Sequence, residues 1–406
     1  MRVETVIIGA GQAGLALSRH LTAAGHEHVV LERGRVGERW RSERWDSLRL
    51  LTPNRLNRLP GAAPFADPDD YLDREGVIAY LEAYAAGAPV REGTTVLGVR
   101  RKSDGYRVTT DRGVWRAANV VIASGDCDVP RIPAAAAGAP AFLHSVHAAG
   151  YRRPEQLPDG GVLVVGAGPS GQQLAAELRR AGRDVVLAVG RHARMPRTYR
   201  GRDIFVWLDA TGQLDAHADD VRDLAAARRA PSLPVSGSGE SLGLDHLAAL
   251  GVRVTGRLEG FAGRHALFAS NLADEVRDAD RRMHRVLAEI DAHIERMGAR
   301  AEPPDRPPPV ALGPAPGRLD LGGFGTVLWA TGYSRAYPWL EVPVLDRGGE
   351  LVHREGVTPS PGLFALGLRF QRIRKSHFLG GVGEDAARIA DAIVTGRRAE
   401  RLAQAA

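Results

Sequence analysis

Six glycines in two matched triplets are the residues of this chain best suited to chemistry. Gly9, Gly11 and Gly14 stand in TVIIGAGQAG, and Gly166, Gly168 and Gly171 stand in VLVVGAGPSG. In each, an apolar run enters a G-x-G-x-x-G turn and a helical pattern follows. The first glycine makes such a turn, the second admits a diphosphate, and the third lets the helix pack on the strand. One triplet alone is weak evidence. Two, each framed by strand, turn, helix and strand, predict two dinucleotide sites.

The residue ending each second strand separates the two sites. VVLERG places Glu32, with Arg33 beside it, where a carboxylate accepts hydrogen bonds from ribose hydroxyls and repels a 2′-phosphate. VVLAVGRHARMPR holds no acid; Arg191 lies 20 residues beyond Gly171, with Arg194 and Arg197 near it. A guanidinium can grip a 2′-phosphate with two hydrogen bonds. The first site is therefore read as FAD and the second as NADPH, with Ser170 in the second set. Two nucleotides on one chain let hydride pass from nicotinamide to flavin within the protein.

The elements that must hold these turns follow from the periodicity. Residues 5–8 read as a strand, Leu15, Leu17, Leu21 and Ala24 as a helical face stopped at Gly25, and 28–31 as the next strand. The order recurs at 162–165, at Leu174 and Leu178 with a stop at Gly182, and at 185–189. NVVIASGD (119–126) and TVLWATGY (326–333) both end apolar runs in Ala-Ser/Thr-Gly, bringing Ser124 and Gly125 toward the flavin. The fold class expected is α/β, with two interleaved Rossmann-like domains. A discontinuous FAD domain takes 1–153 and 320–406, and the NADPH domain at 154–319 carries a helical and loop insertion at about 205–310. Residues 272–298 read as a long charged helix with Val276, Met283, Val286, Leu287, Ile290, Ile294 and Met297 on one side, docked on its own domain, closing a substrate pocket or serving a homodimer. Residues 303–317 read as an extended connector, and 384–396 as a helix stopped by Gly396, its N-terminus after Gly383 facing the flavin.

Composition narrows the classes. At 406 residues, 44% hydrophobic and 25% charged, the chain is an ordinary globular one. No apolar run approaches the roughly 18 residues of a membrane span, and MRVETVII is too short for a signal peptide, so a cytoplasmic protein is expected. The net charge of +6 comes from interspersed Arg, with Lys only at 102 and 375, and no like-charge block or nucleic-acid module stands out. Cys127 is the single cysteine, which excludes a disulfide and a CxxC redox pair. HxxxH and HExxH spacings are absent, and no metal is expected.

The segments VIIGAGQAG, WDSLRLLTP, VIASGDCDVPRIP, VLVVGAGPSG and VLWATGY together resemble the class B flavin-dependent monooxygenases, in their FMO-like and YUCCA-like branch. The family signature F-x-G-x-x-x-H-x-x-x-[FYW] is met by His147 and Tyr151, while Ala141 and Leu143 replace its Phe and Gly. The resemblance places GERW (37–40), with Trp40, and WDSLRLLTPN (45–54) along the flavin. That branch has an Asn steadying the oxygenated flavin; Leu51 or Thr52 stands at that point here, with Asn54 just beyond. SHFLGGVGED (376–385), with His377, resembles the segment closing over the flavin. Thr52, Asn54 and His377 are thus the catalytic candidates, and His147 and Tyr151 join the NADPH set. The resemblance implies that NADPH reduces FAD and that reduced flavin activates O₂ at C4a for transfer of one oxygen atom to a small-molecule substrate. The rivals are an NADPH oxidase or flavin reductase and, more remotely, a non-catalytic redox sensor.

Overall fold

The computed structural model describes residues 1–230, 232–237 and 239–405, without the side chains of 397–405. Each glycine turn sits at the carboxyl end of a strand central to its own sheet. In the first sheet Arg2–Ile8 runs parallel to His28–Leu31 on one side and to Gly113–Ile122 on the other. Gly113–Ile122 also pairs antiparallel with Gly105–Thr110, which pairs with Val96–Lys102, while Leu363–Ala365 joins it in parallel. The second sheet is parallel throughout, in the order Arg253–Thr255, Val185–Ala188, Gly161–Val165, Phe324–Trp329, His144–His147. Gly161–Val165 is buried along its length, as expected of a parallel strand covered on both faces.

The helices follow their apolar stripes. Gln12–Ala23 buries Leu15, Leu17 and Leu21 in one core with Ala386, Ile389 and Ile393 of the C-terminal helix. That helix spans Val382–Ala405 and runs through Gly396 rather than stopping there. A glycine inside a helix costs only about 1 kcal/mol, so it punctuates but does not forbid. Leu272–Met297 does form the long charged helix and ends at Gly298, whose φ of 58° suits a left-handed cap. Met283, Leu287, Ile290 and Ile294 pack in one cluster with Met195, Tyr199, Phe205 and Trp207. Those residues of its stripe are thus covered by its own chain, while Met297, placed on that stripe from the sequence, is 65% exposed.

The two sheets move the expected boundaries. His144–His147 and Phe324–Trp329 both extend the second sheet, so the chain crosses near 123–131 and returns near 330–334, rather than at 153 and 320. The crossings touch, Val129–Pro130 pairing antiparallel with Tyr333–Ser334. The stretch expected as an insertion also supplies a strand of that sheet, Arg253–Thr255, and a hairpin, Leu258–Ala262 with His265–Phe268. No helix among the described residues is long and apolar enough to cross a membrane.

Candidate functional site

The two glycine turns are built alike. Gly9 and Gly166 have φ of 109° and 106°, which only glycine adopts without strain. A Cβ on Gly9 would lie 2.5 Å from the Ala123 carbonyl oxygen, and one on Gly166 2.6 Å from that of Ala330. This is why both partner strands end in Ala-Ser/Thr-Gly: each is pressed against a first glycine. Gly14 and Gly171 lie so close to the Gly9 and Gly166 carbonyls that any Cβ would collide. Gly11 and Gly168 differ, since a Cβ there meets nothing within 4 Å. Open space at the middle glycine, ahead of a helix N-terminus, is the cradle a diphosphate fits.

Around the first turn, the Glu32 carboxylate accepts from the backbone N–H of Ala10 at 2.8 Å and of Gly34 at 3.0 Å. It thereby ties the turn to the second strand's end, with oxygen lone pairs left over. Arg33 is half-exposed, 3.8 Å from both Glu43 and Asp128. Ser124 and Gly125 follow directly on Ala123, Gly125 with a φ of 85°. Trp40 is partly buried between the two halves' cores, with the Arg44 guanidinium 5.6 Å from its ring. Gly383 meets Pro60, 2.7 Å from where its Cβ would lie, which gives this glycine a packing reason of its own.

The catalytic candidates come together in part. Gln12, at the first turn, donates to the His377 carbonyl at 3.3 Å, and Gly380 presses on the Leu56 carbonyl. The segments 52–57 and 376–381 therefore meet beside the first glycine turn. Thr52 donates to Asn57 Oδ1 at 2.6 Å, and Asn57 Nδ2 returns a bond to the Thr52 carbonyl at 2.9 Å. Asn54 is 5% exposed and donates to the Asp67 carbonyl at 3.0 Å, so its amide is turned into its own loop. His377 is held neutral, its pKa pushed down to about 4 by burial and by the Arg369 guanidinium. Asn57 and Gln12 were missed in the sequence; one amide residue in an Asn-rich turn looks much like another until the fold pairs it.

The second site needs three corrections. Arg194 cannot hold a phosphate: it is 8% exposed and bonded to Asp280 at 2.7 Å, Asp245 at 3.0 Å and the Pro308 carbonyl at 2.8 Å. Tyr151 has no exposed surface, and its hydroxyl donates to Glu177 at 2.6 Å, which places it in the core rather than on a nucleotide. His147 accepts from the Ala149 N–H and donates from Nε2 to the Gly332 carbonyl, both at 3.1 Å. With both nitrogens engaged and its ring edge-on to Tyr333, it braces the crossing of the two linkers. Burial lowers its pKa, which keeps the neutral tautomer that this pair of bonds requires. Arg191 is exposed and free of hydrogen bonds and ion pairs among the described residues. Ser170 stands in the first turn of the helix Pro169–Arg180.

A family model of pyridine nucleotide-disulphide oxidoreductases matches residues 6–210. An uncharacterized oxidoreductase of Geobacillus kaustophilus, described as CzcO-like, is 32% identical over 390 residues, 95% of this chain and 96% of that one. Indole-3-pyruvate monooxygenase YUCCA1 of Oryza sativa subsp. japonica is 36% identical over 184 residues, 44% of this chain and 45% of that one. Among solved structures, a flavin-containing monooxygenase from Stenotrophomonas maltophilia has a TM-score of 0.66 at 20% identity, covering 97% of this chain and 98% of that one. The bacillithiol disulfide reductase of Staphylococcus aureus shares the fold with a TM-score of 0.61 at 13% identity, over 98% and 99% of the two chains. With two nucleotide turns and no cysteine pair, the chain belongs to the pyridine nucleotide-disulphide oxidoreductase family, on its flavin monooxygenase-like side, and is an oxidoreductase with FAD and NADPH as cofactors.

Proposed function

We propose that this protein is an NADPH-dependent flavoprotein monooxygenase, which transfers one oxygen atom of O₂ to a small organic substrate. The observation that carries the reading is the paired cradle, open at Gly11 and at Gly168, with Glu32 beside the first and the unpartnered Arg191 beyond the second. The match to YUCCA1 favours oxygen transfer over other uses of the same cofactors. FAD, held at Gly9, Gly11, Gly14 and Glu32, supplies the redox chemistry when bound.

The chain's own residues bind, orient and exclude. Glu32 would accept from ribose hydroxyls with its free lone pairs, and Arg191 would clamp a 2′-phosphate. Gln12 and the 376–381 segment hold the 52–57 loop down on the first turn, which keeps water from the reacting edge. His377, neutral well below physiological pH, can offer a hydrogen bond there without bringing charge.

One observation favours a second reading. The amides of Asn54 and Asn57 each give one N–H to a carbonyl of their own loop, so steadying an oxygenated cofactor would fall to the single N–H that each has left. An NADPH oxidase or flavin reductase would need no such amide. Labelled O₂ separates the readings: label in an organic product, with less than one H₂O₂ per NADPH, supports the monooxygenase. Stoichiometric H₂O₂ with every substrate class tried would replace it with the oxidase.

A further inference from the structure

The stretch LRFQRIRKSH, 368–377, carries more positive charge than the chain around it neutralises. It runs beside the flavin cradle: a Cβ on Gly367 would lie 2.8 Å from the Ala13 Cβ, and Gln12 reaches the His377 carbonyl. Facing it is the short helix Leu224–Arg228 from the second half. The two are laced reciprocally, Arg228 donating to the Phe370 carbonyl at 3.2 Å and Arg369 to the Ala230 carbonyl at 3.0 Å. Arg374 lies 5.8 Å from the centre of the Phe370 ring.

The neighbouring cations have counter-charges. Arg372 pairs with Asp385 at 2.8 Å and Glu384 at 2.5 Å, and Lys375 with Asp209 at 3.3 Å and Asp215 at 3.0 Å. Arg335 is held by Asp126 and Glu350. Arg228, Arg369 and Arg374 have no carboxylate at ion-pair distance among the described residues; from farther off Glu350 and Asp126 act on Arg228, Asp126 on Arg369 and Glu289 on Arg374, and Asp126 and Glu350 are already paired with Arg335. A guanidinium has five N–H donors, and one carbonyl takes one of them. The Nε atoms of Arg228 and Arg369 are buried with no acceptor, as is Nδ1 of His377. Desolvation lowers the pKa of all three guanidiniums; Arg228 and Arg369 are partly buried and Arg374 reaches solvent. Phe370, between them, keeps a φ of 48°, a strained value for a residue with a Cβ.

We propose that Arg228, Arg369 and Arg374 form the anion subsite of the substrate pocket, and that the molecule on which this enzyme acts carries a carboxylate. A planar carboxylate matches a guanidinium fork in two parallel bonds and would occupy the donors left without acceptors. The diphosphates of both nucleotides already have their cradles at the glycine turns. Because Arg228 comes from one half and Arg369 from the other, a bound acid would also bridge the two. What then happens to the acid rests on the monooxygenase reading; its binding does not.

The test is calorimetric titration of the flavin-loaded protein, with NADPH and O₂ absent. The probes are acetate, pyruvate and phenylacetate, each against its uncharged amide, together with inorganic phosphate. At least one acid should bind about tenfold or more tightly than its amide. Arg374→Gln, whose side chain is exposed and carries little folding risk, and Arg228→Gln should each weaken that acid about tenfold with flavin content unchanged, and Arg228→Lys should recover part. Equal binding within every pair, or acid binding unmoved in both variants, overturns the proposal. So does phosphate binding more tightly than all three acids, or Arg369→Gln shedding flavin, as a ligand of the flavin's own diphosphate would. Discriminating binding without oxygen transfer would remove the monooxygenase reading and leave this subsite standing.

Discussion

Arg191 and Arg194 stand three positions apart and serve different ends. Arg194 is buried against two carboxylates, while Arg191 reaches solvent with no partner among the described residues. A charged residue that contributes nothing to the fold can be removed without harming it. Arg191→Gln should therefore leave the melting temperature unchanged and raise KM for NADPH about tenfold or more, the scale of one charged hydrogen-bond pair. KM for NADH should not move; a parallel rise for both would show that Arg191 does not read the 2′-phosphate. The histidines argue at the same scale. Burial, aided by Arg228 and Arg335, pushes His353 down to about 4, and burial with Arg369 does the same to His377. Their folded-state pKa values lie below the ordinary 6.5, so the unfolded chain binds more protons between those limits. Stability is then full above about 6.5 and falls as pH drops toward 4. Urea midpoints at neutral pH and near pH 5 should show the fall, and His353→Gln should narrow the gap between them.

Each element that frames a nucleotide turn has one glycine for the ligand and one for itself. Gly14 touches the Gly9 carbonyl across the strand–helix junction, whereas Gly11 faces open space at an ordinary φ of −83°. Gly14→Ala should prevent the helix Gln12–Ala23 from seating and yield little folded protein. Gly11→Ala should fold, with near-native circular dichroism and urea midpoint, but lose bound flavin, because its methyl group enters the diphosphate's space. Gly168→Ala should keep flavin and lose NADPH affinity. Flavin retained in Gly11→Ala would place the diphosphate elsewhere. These turns were legible in the sequence because their geometry is local: each third glycine answers to a carbonyl five residues away. The strand His144–His147 was not, since four residues with a histidine at each end carry no alternation to read, and only pairing with Phe324–Trp329 makes them a strand. That omission displaced the boundary at 153, and the pairing of Phe324–Trp329 with Gly161–Val165 displaced the one at 320.

The two halves are joined by more than their linkers, and no motif announces the joint. Arg197 was one of three arginines noted near a phosphate; its surroundings could not be read because all but Asp203 come from distant parts of the chain. It has no exposed surface, donates to the Leu51 carbonyl at 2.8 Å and the Ser236 carbonyl at 3.0 Å, and is paired with Asp203. The Tyr71 ring lies 4.7 Å from the guanidinium carbon, and the Tyr71 hydroxyl also donates to Asp203. Leu51 and Tyr71 belong to the flavin half, Asp203 and Ser236 to the other, so one buried cation fixes the 50–57 loop against the second domain. Removing it leaves Asp203 desolvated without its counter-charge, which costs about 3–5 kcal/mol for a buried pair. Arg197→Ala should lower the urea midpoint accordingly, and the double variant with Asp203→Asn should lose less than the two single changes added together. It should also raise H₂O₂ released per NADPH in the flavin-loaded enzyme, because the Leu51 carbonyl loses its anchor beside Thr52 and Asn57. Arg197→Lys keeps the charge but not the fork, and so should restore stability more fully than coupling. Equal recovery of both would make Arg197 a stabilising residue alone, with no hold on the loop's position.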